Sequence, residues 1–134
     1  MRVFLEQARS VRLGTMVSVY RGLYWHEGVV CGYSDDGEPL ILSISAPGSR
    51  IETLTQFAGS QTTVDVQYPS QLPGWLVVRR AFWSARRPYH WRDWNCQHLV
   101  RFAHGSMLES PQVTAWFGVL LSAFTAAGIA KLAE

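Results

Sequence analysis

The segment Ser34-Asp35-Asp36-Gly37 constrains the fold of this chain more than any other, because it joins two apolar runs of strand length. Asp and Gly at this spacing make a tight reversal, with Gly supplying a backbone conformation that other residues resist. His26 to Tyr33 and Leu40 to Ser45 are therefore expected to run antiparallel. The two-residue period of a strand puts His26, Gly28 and Val30 on one face of the first run and Cys31 on the other. Gly28 and Gly32 would leave room beside the imidazole. Met16-Val17-Ser18-Val19-Tyr20 alternates as a further strand, Arg21-Gly22 turns the chain, and Thr62 to Tyr68 alternates again. Val3 to Arg9 reads as a short helix or an arm. Glu52 to Ala58 reads as a short helical or 3₁₀ segment, and Leu76 to Ala85 as a helix after Pro73-Gly74. The expected class is α+β, a small antiparallel β-sheet packed with helices. At 134 residues, 48% of them hydrophobic, one cored domain is expected.

Asn95-Cys96-Gln97-His98-Leu99-Val100-Arg101-Phe102 is where chemistry enters. Trp91 to Trp94 reads as a loop and Asn95 as an N-cap, so Cys96 falls in a first helical turn. Free N–H groups and the positive end of the helix dipole favour a thiolate there. Leu99, Val100 and Ala103 share a face with Cys96 and should pack inward. His98, two residues on, points away from Cys96 and is a poor base. His26 is the better one. The order, histidine first and cysteine second, is the reverse of papain. An inert buried thiol is the competing reading of Cys96, since free cysteines are commonly small core hydrophobes. Cys31 reads as such a core thiol.

The Cys96 segment resembles the Asn-Cys-Glu-His-Phe box of the lecithin:retinol acyltransferase family, with its phospholipase/acyltransferase and bacterial members. Gly105 followed by Ser110-Pro111-Gln112-Val113 is similar to that family's Gly…Ser-x-Gln-Val ending. Leu13-Gly14-Thr15 through Val30 resembles its opening, where a strand leads to a His-x-Gly segment, and Thr53 to Pro69 resembles its middle. A subset of picornavirus 2A proteins carries the same His box and Asn-Cys motif. The resemblance implies a permuted papain-like thiol fold, with the His strand before the Cys helix. It implies Cys96 as nucleophile, His26 as base, and an acyl-thioester route for a lipid acyltransferase or phospholipase. The viral members imply an alternative: a non-catalytic module that binds membranes, RNA, or a viral or host replication partner. A cell-wall peptidase is a more distant reading. The family carries a second histidine about a dozen residues after the first. Here the matching strand, Leu40 to Ser45, has none, so either Ser43 or Ser45 takes that position or the third member is missing. Serine can accept an imidazole N–H but cannot stabilise the imidazolium as a charged partner would.

The net charge of +2 says less than its distribution. Arg79, Arg80, Arg86, Arg87, Arg92 and Arg101 cluster in one region where Asp93 is the only acid, interleaved with Trp83, Tyr89, Trp91 and Trp94. Arg79, Arg80, Arg86, Arg87, Trp91 and Arg92 would suit an anionic membrane surface or RNA, and equally a plain solvated face. From Glu109 to Lys131 the interior is uncharged. Val113 to Ala130, about eighteen residues and roughly 27 Å as a helix, reads as membrane-spanning, interfacial or core. The resembled family's hydrophobic tail tips this toward a membrane-associated helix. The expected organisation is a thiol domain over 1–112 and a hydrophobic C-terminal segment over 113–134. Two cysteines give no disulfide framework and no Cys-x-x-Cys pair, Cys96, His98 and His104 make no convincing metal set, and no cofactor is expected. Met1 to Ser10 lacks the apolar core of a signal peptide. A cytoplasmic protein, peripheral on or C-terminally anchored to membranes, is the expectation.

Overall fold

The Ser34–Gly37 reversal closes as the sequence predicts. The Ser34 amide donates to the Glu38 carbonyl (2.8 Å), the Gly37 amide to the Ser34 carbonyl (2.9 Å), and Gly37 takes φ of 82°. Strand β3 (Trp25–Tyr33) and β4 (Pro39–Ser45) leave it antiparallel. The computed structural model describes residues 1–92 and 94–105. Around this hairpin lie β1 (Arg2–Phe4), α1 (Leu5–Ala8), β2 (Met16–Tyr20), β5 (Gly48–Thr53), α2 (Leu54–Ala58), β6 (Thr63–Gln67), α3 (Gly74–Ser84) and α4 (Cys96–Ala103). The strands form one open six-stranded sheet in the order β1-β6-β2-β3-β4-β5, with every pairing antiparallel. The chain is α+β, as expected.

Two stretches differ from the sequence reading. Val3 to Arg9 divides, because Arg2 to Phe4 pair with β6 before the chain turns into α1. Glu52 and Thr53 are strand, not helix: the whole of β5 pairs with β4, from Ser45↔Gly48 to Leu40↔Thr53. β5 is an edge strand with a largely solvated surface, so it carries no apolar alternation to read. The helix begins one residue later, where Thr53 Oγ1 accepts from the Gln56 amide and Gln56 Oε1 accepts from the Thr53 amide.

Each face of the sheet buries its own core. On one face Val17, Val19, Val30 and Ile41 pack against Leu54, Phe57 and Ala58 of α2 and Ala8 of α1. On the other, Val29, Leu42 and Ile44 pack against Val77 and Ala81 of α3 and Leu99, Val100 and Ala103 of α4, with Cys31 at the margin. Gly28 leaves no vacancy beside His26. A Cβ there would lie 2.4 Å from Ile41 Cγ2 and 2.9 Å from the Leu42 carbonyl. Its smallness lets Ile41 and the Phe57 ring close in.

The ladder between β3 and β4 runs from Tyr33↔Pro39 back to Val29↔Leu42, while β4 stays paired to β5 as far as Ser45. Trp25 to Gly28 run on beyond it, held only by β2 on the other side. The sheet thus opens between β3 and β4 at one end.

Candidate active site

α4 starts where Asn95 stops the preceding loop. Asn95 Oδ1 accepts from the Gln97 (3.0 Å) and His98 (3.3 Å) amides, and His98 Nδ1 accepts from the Asn95 amide (3.1 Å). This is a reciprocal capping box in which a histidine does the work usual for Glu or Gln. His98 is buried, stacks on Trp94 with centroids 6.0 Å apart, and is structural. Trp94 ties the helix start to α3 by donating from Nε1 to the Ser84 carbonyl (3.1 Å). Cys96 is thereby fixed at the first helical position, 8% exposed, over the α3–α4 face of the sheet.

His26 projects from the opposite face. Its ring stacks on Phe57 (5.2 Å between centroids), and Nε2 lies 3.3 Å from Ser43 Oγ. Both His26 and Ser43 are buried. Of the two serines that the sequence left open, Ser43 meets the imidazole, while Ser45 lines the cleft beside it. Glu27, freed from pairing with β4, turns its backbone N–H to the Cys96 sulphur. His26 and Cys96 then line one cleft of about 860 Å³. Among the described residues no hydrogen bond joins them directly.

Burial decides the charge state of both. It lowers the His26 pKa to about 4, with Arg21 and Arg50 adding repulsion toward an imidazolium. It pushes the Cys96 thiol up to about 11, against the opposing pull of the Glu27, Gln97 and Cys96 amides. The resting pair at neutral pH is a thiol and a neutral imidazole. Against the pull of the helix start toward a thiolate, desolvation is the larger effect and outweighs those amides. One of them, the Gln97 amide, is also committed to Asn95, as is the neighbouring His98 amide.

The remaining lining is aromatic and cationic: Tyr24, Trp25, Tyr89 and Trp91, with Arg21 and Arg50. Of these, the sequence reading named Tyr89 and Trp91 among the aromatics of the arginine cluster. Arg21 read as part of a turn, and Arg50 lies on the unread strand β5. Of the arginine cluster, Arg79, Arg80 and Arg86 line one shallow groove with Phe82 and Trp83. Arg80 donates from Nε to the Phe102 carbonyl (2.9 Å) and covers that ring, and Arg87 lies over Trp94. Arg79, Arg86 and Arg92 are exposed, near exposed Phe82 and Trp83 on α3. Among the described residues no helix is long and apolar enough to cross a membrane; the segment 113–134 and the Ser110–Val113 ending lie outside them. No family model, curated protein or solved structure matches the chain.

Proposed function

We propose that this protein is a thiol-dependent lipid acyltransferase or phospholipase on a permuted papain-like scaffold related to the lecithin:retinol acyltransferase family. One observation carries the reading: a strand-borne histidine and a helix-start cysteine, reached from opposite sheet faces, share one cleft. In the tautomer that donates Nε2–H to Ser43 Oγ, the other ring nitrogen, Nδ1, carries the lone pair. Nδ1 takes the thiol proton as Cys96 Sγ bonds to the ester carbonyl carbon. The tetrahedral intermediate collapses, the C–O bond breaks, and the imidazolium returns its proton to the leaving alkoxide. Water, an alcohol or an amine then attacks the acyl-thioester, losing its proton to His26, and the thiol is regenerated. Backbone N–H groups at the start of α4, beside the nucleophile, would serve as oxyanion donors. The C-terminal segment would hold the domain at the lipid surface.

The test is incubation of the full-length protein with an isotope-labelled phospholipid, followed by intact-mass measurement. The expected result is one added acyl mass on Cys96, absent in Cys96→Ala and strongly reduced in His26→Ala. Absence of any adduct or turnover in the wild type, across headgroups, would overturn the enzyme reading.

A second reading rests on the uncharged resting pair. A thiol held near 11 and an imidazole near 4 suit a fold that has kept the site without its reactivity. On that reading the exposed Arg79, Arg86 and Arg92, with the exposed Phe82 and Trp83 of α3, bind a membrane, RNA or a replication partner.

A further inference from the structure

The cleft carries two guanidinium groups that thiol chemistry by itself does not require. Strand register places both on the face of His26. Val19 pairs with His26, and Arg21 lies two residues beyond Val19, on the same side. Ser43, in contact with His26, pairs with Arg50 on β5. One arginine therefore stands at each flank of the imidazole, and both line the cleft. Arg21 is held in place by donating from Nη2 to the Phe57 carbonyl (2.8 Å), behind the ring that stacks on His26. Arg50 is held through Nε by Glu52 (2.7 Å). Each keeps further N–H donors, and among the described residues no carboxylate pairs with Arg21.

We propose that Arg21 and Arg50 form a receptor for a phosphate-type oxyanion, so that the acyl esters this cleft accepts bear an anionic phosphate. The substrate part of this inference rests on the thiol-acyl reading above; the receptor itself does not. Guanidinium groups are suited to a tetrahedral oxyanion by their planar fork of donors. Tyr24, Trp25, Tyr89 and Trp91 give the apolar wall for the acyl chains. A consequence follows for the base. The charged and titratable groups facing His26 are Arg21 from the β2–β3 connection, Arg50 and Glu52 from β5, Tyr24, Tyr89, and Cys96 from α4. The two arginines oppose protonation of His26, with Glu52 offsetting part of Arg50. A phosphate seated between them offsets the rest and favours the imidazolium. The substrate thus strengthens the base that deprotonates the attacking thiol, and an empty cleft keeps the thiol unreactive.

The test uses the full-length protein in a neutral detergent, with isotope-labelled histidine followed by NMR. The probes are short-chain dibutanoylphosphatidate, neutral dibutanoylglycerol and inorganic phosphate. The phosphatidate should bind at least tenfold tighter than the neutral ester and raise the His26 titration midpoint by about one pH unit or more. Arg50→Gln, at an exposed position, should remove most of that preference and of the shift. Arg21→Gln should do the same, and Arg21→Lys should retain part of it, which separates charge from the packing of Phe57. Equal binding of the neutral ester, an unmoved His26 titration, or unchanged selectivity in both glutamine variants would overturn the receptor. Inorganic phosphate binding as tightly as phosphatidate would overturn the substrate assignment, leaving a site for free phosphate. Binding and titration are read without turnover. A protein that seats phosphatidate on Arg21 and Arg50 but never acylates Cys96 would refute the enzyme and leave the receptor standing.

Discussion

Cys96 shows how two effects of opposite sign are settled by size. The helix start favours a thiolate by about 0.3–1 kcal/mol. Burial moves the thiol from 9.0 to about 11, a net cost of roughly 3 kcal/mol to the thiolate. Desolvation wins, and reactivity should follow it. Alkylation of Cys96 by iodoacetamide should be slow at pH 7–8, where it holds roughly 100-fold fewer thiolates than a thiol at 9.0. The rate should climb about tenfold per pH unit toward a midpoint near 11, since only the deprotonated form reacts. A plateau already reached below pH 8 would show that the charged pair is the resting state.

Among the elements, α4 matters most, because its first residue is the nucleophile of the proposed reaction. Its cap is a two-way arrangement, Asn95 to the Gln97 and His98 amides and His98 back to Asn95. Asn95→Ala removes the acceptor for two amides in a part-buried setting and should cost about 1–2 kcal/mol. The thermal midpoint should fall by roughly 3–6 °C for a domain of this size. His98→Ala should cost a comparable amount, since it loses the reciprocal bond and the stack on Trp94. Calorimetry on the variants checks this, and an unchanged midpoint in Asn95→Ala would show that α3 packing alone holds the helix start. The strands teach a different lesson. β2 and β6 announce themselves by alternating side chains, and β3 and β4 as apolar runs flanking a turn; β5 does not, because this edge strand is largely solvated and buries too little to impose a pattern.

For the molecule as a whole, the described helices seat on two cores, one on each face of the sheet. Ala103 already closes the inner face of α4. Deleting residues 113–134, the proposed membrane-associated part, should therefore leave a cooperative thermal transition in place. It should also move the protein from the pellet to the supernatant in sedimentation with anionic liposomes. Loss of the transition on truncation would instead make this segment part of the core, because its removal would expose the apolar surface it covers.

The sequence by itself determined the antiparallel hairpin, the α+β class, the Asn95-capped helix with Cys96 at its start, and the opposite facing of His26 and Cys31. All of these follow from local periods, turn residues and caps, which act over a few neighbouring positions. Only the tertiary structure decided the rest. The gap between β3 and β4 depends on where a ladder stops, and no local pattern marks it. The choice of Ser43 at the imidazole depends on that same register. The uncharged state of Cys96 and His26 depends on what the whole fold buries around them. Arg21 and Arg50, 29 positions apart in the chain, meet at His26 only because β2 and β5 are laid on either side of the β3–β4 hairpin. Long-range pairing and desolvation are properties of the assembled sheet, and short-range sequence signals do not carry them.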